Sequence, residues 1–107
     1  LRVDVTRRGR RLTVSISGEL DLASVDYLHD RMLPLTVAPD RPAEVVFDVA
    51  ALTFVDVTGL RALVRVASTF DAAGAPVRLQ RTSPQLERLL GLLGLDERLT
   101  SRPGDHG

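Results

Sequence analysis

The run Glu44-Val45-Val46-Phe47-Asp48-Val49 limits the fold more than any other stretch of the chain. It is nearly continuous in apolar, β-favouring side chains. A strand of that kind suits the centre of a sheet covered on both faces. A strand followed by a helix and a further strand implies a right-handed crossover. The chain on either side supplies those parts. Upstream, Val3 and Val5 alternate with polar residues, and Leu12, Val14 and Ile16 alternate with Thr13, Ser15 and Ser17. Both are period-2 strand patterns, and together they predict an antiparallel hairpin. Between them, Arg7-Arg8-Gly9-Arg10-Arg11 forms a turn. Its arginines are capable of holding phosphate, but a polar, solvated hairpin tip is the plainer reading.

Gly18-Glu19-Leu20-Asp21 ends the second strand, with Gly18 permitting a sharp turn. Ser24 or Asp21 can cap a helix in which Val25, Leu28, Met32 and Leu35 recur at helical spacing, and Pro34 closes or kinks it. Pro39-Asp40-Arg41-Pro42 is a loop. Beyond the central strand, Leu60, Leu63, Val64, Ala67 and Phe70 form the stripe of a second helix, stopped by Gly74 and Pro76. Val77-Arg78-Leu79-Gln80 is a short strand. Thr82 or Ser83 can cap a third helix with Pro84 in its first turn and Leu86, Leu89, Leu90 and Leu93 on its apolar face. Gly94 ends it, and Leu95 can pack back on the last turn. Leu99 and Thr100 add a short extended piece, and residues 101–107 read as a frayed tail after a domain over residues 1–100. The order is β-β-α-β-α-β-α: an α/β fold with a small mixed sheet of about four strands packed by three or more helices.

Composition narrows the function. At 107 residues and 44% hydrophobic, the chain suits one domain with a packed core. The formal net charge is zero, so nothing global points to nucleic acid or an acidic membrane. There is no cysteine, and His29 and His106 have no metal-ligand spacing, so neither a disulfide nor a metal is expected. No apolar run is long enough to span a bilayer and no signal peptide is visible, which fits a cytoplasmic protein. The first residue is Leu1, which is consistent with a piece of a longer chain. No cofactor is expected: the chain has no GxxxxGK[ST] loop and no lysine.

The stretch Thr53-Phe54-Val55-Asp56-Val57-Thr58-Gly59-Leu60 joins strand to helix. Such a junction exposes backbone N–H groups at the positive end of a helix dipole, where an anion or a capping oxygen is favoured. The plain reading is that Asp56 or Thr58 caps the helix. The sharper one gives Thr58 a hydroxyl for phosphoryl chemistry or for a partner. Ligands of open α/β sheets meet the strand ends near the crossover loops, which gathers Glu19, Asp21, Asp56 and Thr58 at one end of the sheet.

Four motifs in this order carry a family resemblance. They are Gly18-Glu19-Leu20-Asp21, Val46-Phe47-Asp48-Val49, Phe54 to Arg61, and Ser83-Pro84 with Leu89-Leu90 and Gly94-Leu95. From about Val3 to Leu99 the chain resembles a STAS domain, nearest in pattern to the bacterial anti-sigma factor antagonists. The resemblance implies a binding switch. An unphosphorylated antagonist docks on an anti-sigma factor of serine-kinase fold and frees the sigma factor for transcription. Phosphorylation before the second helix breaks the complex, and a PP2C-type phosphatase restores it. The implied partner face takes in Glu19, Asp21, Asp56, Val57, Thr58, Gly59, Arg61 and Arg65.

The usual family pattern is Asp-Ser-Ser-Gly, with the first serine as acceptor. Here Asp56 and Gly59 match, Val57 stands at the acceptor position, and Thr58 matches the second serine. Either Thr58 is a displaced acceptor, or the standard switch is lost. The second is favoured because Thr58 also suits the cap. The alternative function is a non-phosphorylated STAS module of a larger assembly, such as a stress-sensing complex, a lipid-transport accessory subunit or a transporter tail. An enzyme is not expected, because Thr58 has no plausible histidine partner for nucleophilic catalysis.

Overall fold

The computed structural model describes residues 1–37 and 42–94. Strands β1 (Arg2–Arg8) and β2 (Arg11–Leu20) form the expected antiparallel hairpin. Helix α1 (Val25–Thr36) crosses to β3 (Glu44–Asp48), which pairs parallel with β2. Then follow β4 (Leu52–Val55), α2 (Val57–Ala72), β5 (Val77–Gln80) and α3 (Pro84–Leu92). The order across the sheet is β1-β2-β3-β5, with β4 pairing β2. The mixed α/β architecture expected from the pattern is therefore the one observed, with one strand more than expected.

The core forms where the periodicities point. Leu12, Val14, Ile16 and Leu20 of β2 pack with Val45 and Phe47 of β3. Leu28 and Met32 of α1, and Leu60, Leu63, Val64, Ala67 and Phe70 of α2, join the same cluster. The central strand is buried along Val45 to Asp48, as a run without polar alternation requires. Ala62 and Val66 of α2 are also buried, outside the expected stripe, and α1 packs alongside that helix.

The extra strand is the main correction. The sequence pattern places Thr53 to Val55 in the junction between strand and helix, where the structure has strand β4. Its burial pattern shows why: Thr53 and Phe54 are exposed, and only Leu52 and Val55 are partly covered, so there is no period-2 signal. What makes it a strand is non-local. β3 ends its pairing with β2 at Ser15, and β4 resumes at Gly18. Gly18 accordingly does not end β2. It sits at a register shift with φ of 91°, a left-handed value that favours glycine. Its N–H donates to the Ala51 carbonyl at 3.0 Å, and its carbonyl accepts from the Thr53 hydroxyl at 3.1 Å. The bulge lets β2 run on to Leu20.

Pro34 does not close α1, which continues to Thr36. Proline removes the N–H that would bond to the Asp30 carbonyl. Both residues are exposed, so water can satisfy that carbonyl. The Thr36 hydroxyl donates to the Leu33 carbonyl at 2.8 Å and closes the last turn. In α3, Ser83 is the cap, accepting from the Leu86 N–H at 3.1 Å. Thr82 instead donates to the Glu87 carboxylate. The expected packing of Leu95, the extended piece at Leu99 and Thr100, the tail at 101–107 and most of the Pro39 to Pro42 loop lie outside the described residues.

One buried acid ties the ends of the neighbouring strands β3 and β5 together. Asp48 is 8% exposed and accepts from the Ala50 N–H at 3.1 Å and from two nitrogens of Arg81. Arg81 has φ of 58°, rare for a residue with a side chain. Hydrogen bonding from Arg81 holds the Asp48 carboxyl below its ordinary range against the opposing effect of burial, with help from Ala50. A carboxylate depressed in the folded state adds stability above its unfolded pKa of about 3.9, and that stability is lost as pH falls through the folded value. Asp48→Asn is expected to melt below the wild type at pH 7, with the gap closing below about pH 4. Thermal melts at several pH values check this; an equal gap at pH 3 would show that the charge is not its source.

Candidate functional site

The sheet register decides which residues meet. Glu19 pairs with Phe54 and Leu20 with Val55, so β2 and β4 run parallel and end together. The Asp56 N–H donates to the Leu20 carbonyl at 3.2 Å, extending the ladder by one bond. The chain then turns into α2. Asp56 has an extended backbone, with φ of −103° and ψ of 178°. Its carboxylate accepts from the Gly59 N–H at 2.7 Å, and its carbonyl accepts from the Leu60 N–H at 2.9 Å. Asp56 is thus the cap of α2, and its charge also suits the positive helix end. Asp56→Ala is expected to cost about 1 kcal/mol, measurable by urea unfolding.

That assignment corrects the reading of Thr58. Thr58 is the second residue inside the helix, exposed, and its hydroxyl makes no hydrogen bond among the described residues. Capping therefore does not account for it. Val57, the first helical residue, is 42% exposed, an uncommon place for a β-branched apolar side chain.

Gly59 explains why the junction is tight. It is buried, and a Cβ on it would lie 2.2 Å from the Leu20 carbonyl oxygen and 2.7 Å from the Leu20 carbonyl carbon. The first turn of α2 is pressed against the main chain at the end of β2. Val57 and Thr58, just before that contact, are exposed.

The two acids of that loop differ. Glu19 is exposed, and its carbonyl accepts from the Ser24 hydroxyl at 3.0 Å. Asp21 is partly buried. Its carboxylate accepts from the Ala23 N–H at 3.1 Å and from the Ser24 hydroxyl at 3.3 Å, and its own N–H donates to Ser24 at 3.0 Å. Asp21 shapes the loop with part of its hydrogen-bonding capacity. Ser24 stands at the N-cap position of α1 without a side-chain cap bond, because its hydroxyl serves the loop. Arg61 and Arg65 lie on the exposed side of α2.

Sequence reasoning passed over three exposed apolar side chains near these elements: Leu22 in the loop, Phe54 on β4 and Leu92 on α3. Phe54 and Leu92 line an open groove of about 380 Å3 between β4 and α3, with Leu86, Leu89 and Arg88 among its other walls. Only the strand assignment of Thr53 and Phe54 would have signalled it. Among the described residues no group of three or more His, Asp or Glu is placed to hold a metal ion, and no helix is long and apolar enough to cross a membrane.

The parallel strands thus end at a capped helix whose second residue carries a hydroxyl with no hydrogen bond among the described residues. The STAS domain model matches residues 2–104, and the chain belongs to that family. A relative among characterised proteins is the anti-sigma-B factor antagonist of Bacillus subtilis (strain 168). It is 27% identical over 97 residues, covering 91% of this chain and 86% of that one. An anti-sigma factor antagonist from Mycobacterium paratuberculosis superposes with a TM-score of 0.72 at 27% identity, over 95% of this chain and 85% of that one. The murine anion transporter Slc26a9, in its inward-facing state, gives a TM-score of 0.75 at 19% identity. That match covers 92% of this chain but 17% of the transporter, a likeness of fold alone.

Proposed function

We propose that this domain is an anti-sigma factor antagonist-like protein that binds an anti-sigma factor of serine-kinase fold and so regulates sigma-factor-dependent transcription. The observation that carries this reading is the Asp56 to Gly59 turn. Asp56 and Gly59 are committed to holding the turn, while Val57 and Thr58 face outward with no structural duty among the described residues. A surface built at such cost in tight packing, and left apolar at its tip, suits a protein partner. Its role is binding, not turnover, and it acts in the cytoplasm where its partner resides.

The switch differs from the family pattern. Val57 has no oxygen to accept a phosphoryl group, so phosphorylation there is chemically excluded. Thr58 is accessible and not used as a cap. It is the one hydroxyl in this turn on which a kinase-fold partner could act, and a PP2C-type phosphatase would then reset it. The second reading is a module that never switches, held in a larger assembly such as a stress-sensing complex or a transporter tail. The valine at the acceptor position favours it.

Purified protein incubated with ATP and the kinase-fold anti-sigma factors of its own genome separates the two. A stable complex with phosphate appearing on Thr58 by mass spectrometry supports a displaced switch. A stable complex without phosphate supports a constitutive binder. Binding to none of those proteins overturns the antagonist reading.

A further inference from the structure

One line along α2 carries charge of one sign, and the helix's exposed acid, Asp71, lies off that line in the last turn. Thr58, Arg61, Arg65 and Thr69 follow one another at helical spacings, so they stack along one line of the helix, and all are exposed. No acid lies on that line. Five arginines on other elements are engaged: Arg2, Arg11, Arg78 and Arg81 each face a carboxylate, and Arg31 donates to the Val3 carbonyl at 3.0 Å, while Arg8, Arg10 and Arg88 have no ion pair among the described residues but do not share a helix line with a second arginine. Arg61 and Arg65 have no ion pair or side-chain hydrogen bond among the described residues. The exposed acids Asp26 and Asp30 belong to α1, which packs against α2, yet neither pairs with them.

The fold gains nothing from this arrangement. Like charges one turn apart weaken a helix. Cations in its N-terminal half also run against the dipole. The stripe begins at Thr58, so it is continuous with the face assigned above to the partner.

We propose that Arg61 and Arg65 form an electrostatic docking strip for an acidic surface of the partner protein, with carboxylates spaced about one helical turn apart. This rests on the antagonist reading and adds the charge of the surface it meets. A protein suits the strip better than nucleic acid does. Glu19, Asp21 and Asp56 stand at the same end of the sheet and would repel a run of phosphates, and the chain has no net positive charge.

The test measures association with the anti-sigma factor that the wild type binds, by stopped-flow over a range of salt. Two charge-reversal variants are compared, each checked for folding by circular dichroism. One is Arg61→Glu with Arg65→Glu. The other is Arg8→Glu with Arg10→Glu, the same change of charge at the far end of β2. The α2 variant is expected to associate about tenfold more slowly at ~50 mM salt, with most of the difference gone at ~500 mM, while the hairpin variant stays near wild type. Arg61→Gln with Arg65→Gln should fall between, and it keeps the test valid if the reversed variant does not fold. Unchanged rates in the α2 variants, or equal losses in both reversed variants, overturn the strip alone. A wild type that binds no anti-sigma factor overturns the antagonist reading and the strip with it. Binding of duplex DNA through the same arginines overturns the choice of a protein partner.

Discussion

Gly59→Ala is expected to lower the melting temperature by roughly 10 °C. Two effects oppose each other. Alanine improves a helical position over glycine by at most about 1 kcal/mol. Against that, the new Cβ would meet the main-chain carbonyl of Leu20 at 2.2 Å. A side chain can rotate away from such a contact; a carbonyl inside a parallel ladder cannot. Forcing atoms into a filled site costs about 1–3 kcal/mol, sometimes more, and the rigid obstacle puts this case at the upper end. The steric term wins by about 2 kcal/mol. Gly91 provides the control. It is also helical, but a Cβ there would meet nothing within 4 Å. Gly91→Ala should therefore stabilise the domain by up to about 1 kcal/mol. Thermal melts of both variants decide the matter, and a Gly59→Ala variant as stable as the wild type would mean that α2 can lift from β2 at little cost.

Val57→Ser is expected to create a phosphoacceptor where the wild type has none. The substitution restores the first serine of the family pattern at the first residue of α2, a position already exposed and therefore open to a kinase. Serine loses little packing there, because the valine is only partly covered. With ATP and the anti-sigma factor that binds the wild type, the variant should take up close to one phosphate per molecule on residue 57. The complex should then dissociate. A phosphate brings about −1.5 to −2 charges beside the Asp56 carboxylate, next to a face shaped for binding while neutral. Mass spectrometry locates the phosphate, and gel filtration follows the complex. If the variant stays unmodified while still binding, the partner lacks kinase activity toward this turn, and the non-switching module becomes the better account.

The parts of the fold that depend on local pattern were legible. Leu12, Val14 and Ile16 alternate because one face of β2 is covered, and Leu60 to Phe70 recur at helical spacing because one side of α2 is. The Ser83-Pro84 start of α3 was equally plain, since cap and proline act within a few residues. β4 was not legible. Its residues have no alternation, and they become a strand only because β2 extends past β3 and offers unpaired backbone groups. Gly18 reads as a turn residue for the same reason: a turn and a bulge demand the same backbone freedom, and only the neighbouring strand separates them.

The candidate site divides in the same way. Sequence alone placed Asp56, Val57, Thr58 and Gly59 between a strand and a helix, and established that Val57 cannot carry phosphate, because those properties belong to residue types and their order. Tertiary structure decided which of them holds the turn. Asp56 became the cap and Thr58 was left without a hydrogen bond among the described residues, because the chain enters α2 extended from a strand paired with β2. Gly59 became indispensable because the carbonyl of Leu20 occupies the space where its side chain would be. Capping distances and close approaches depend on where distant segments come to rest, which no local pattern of side chains encodes.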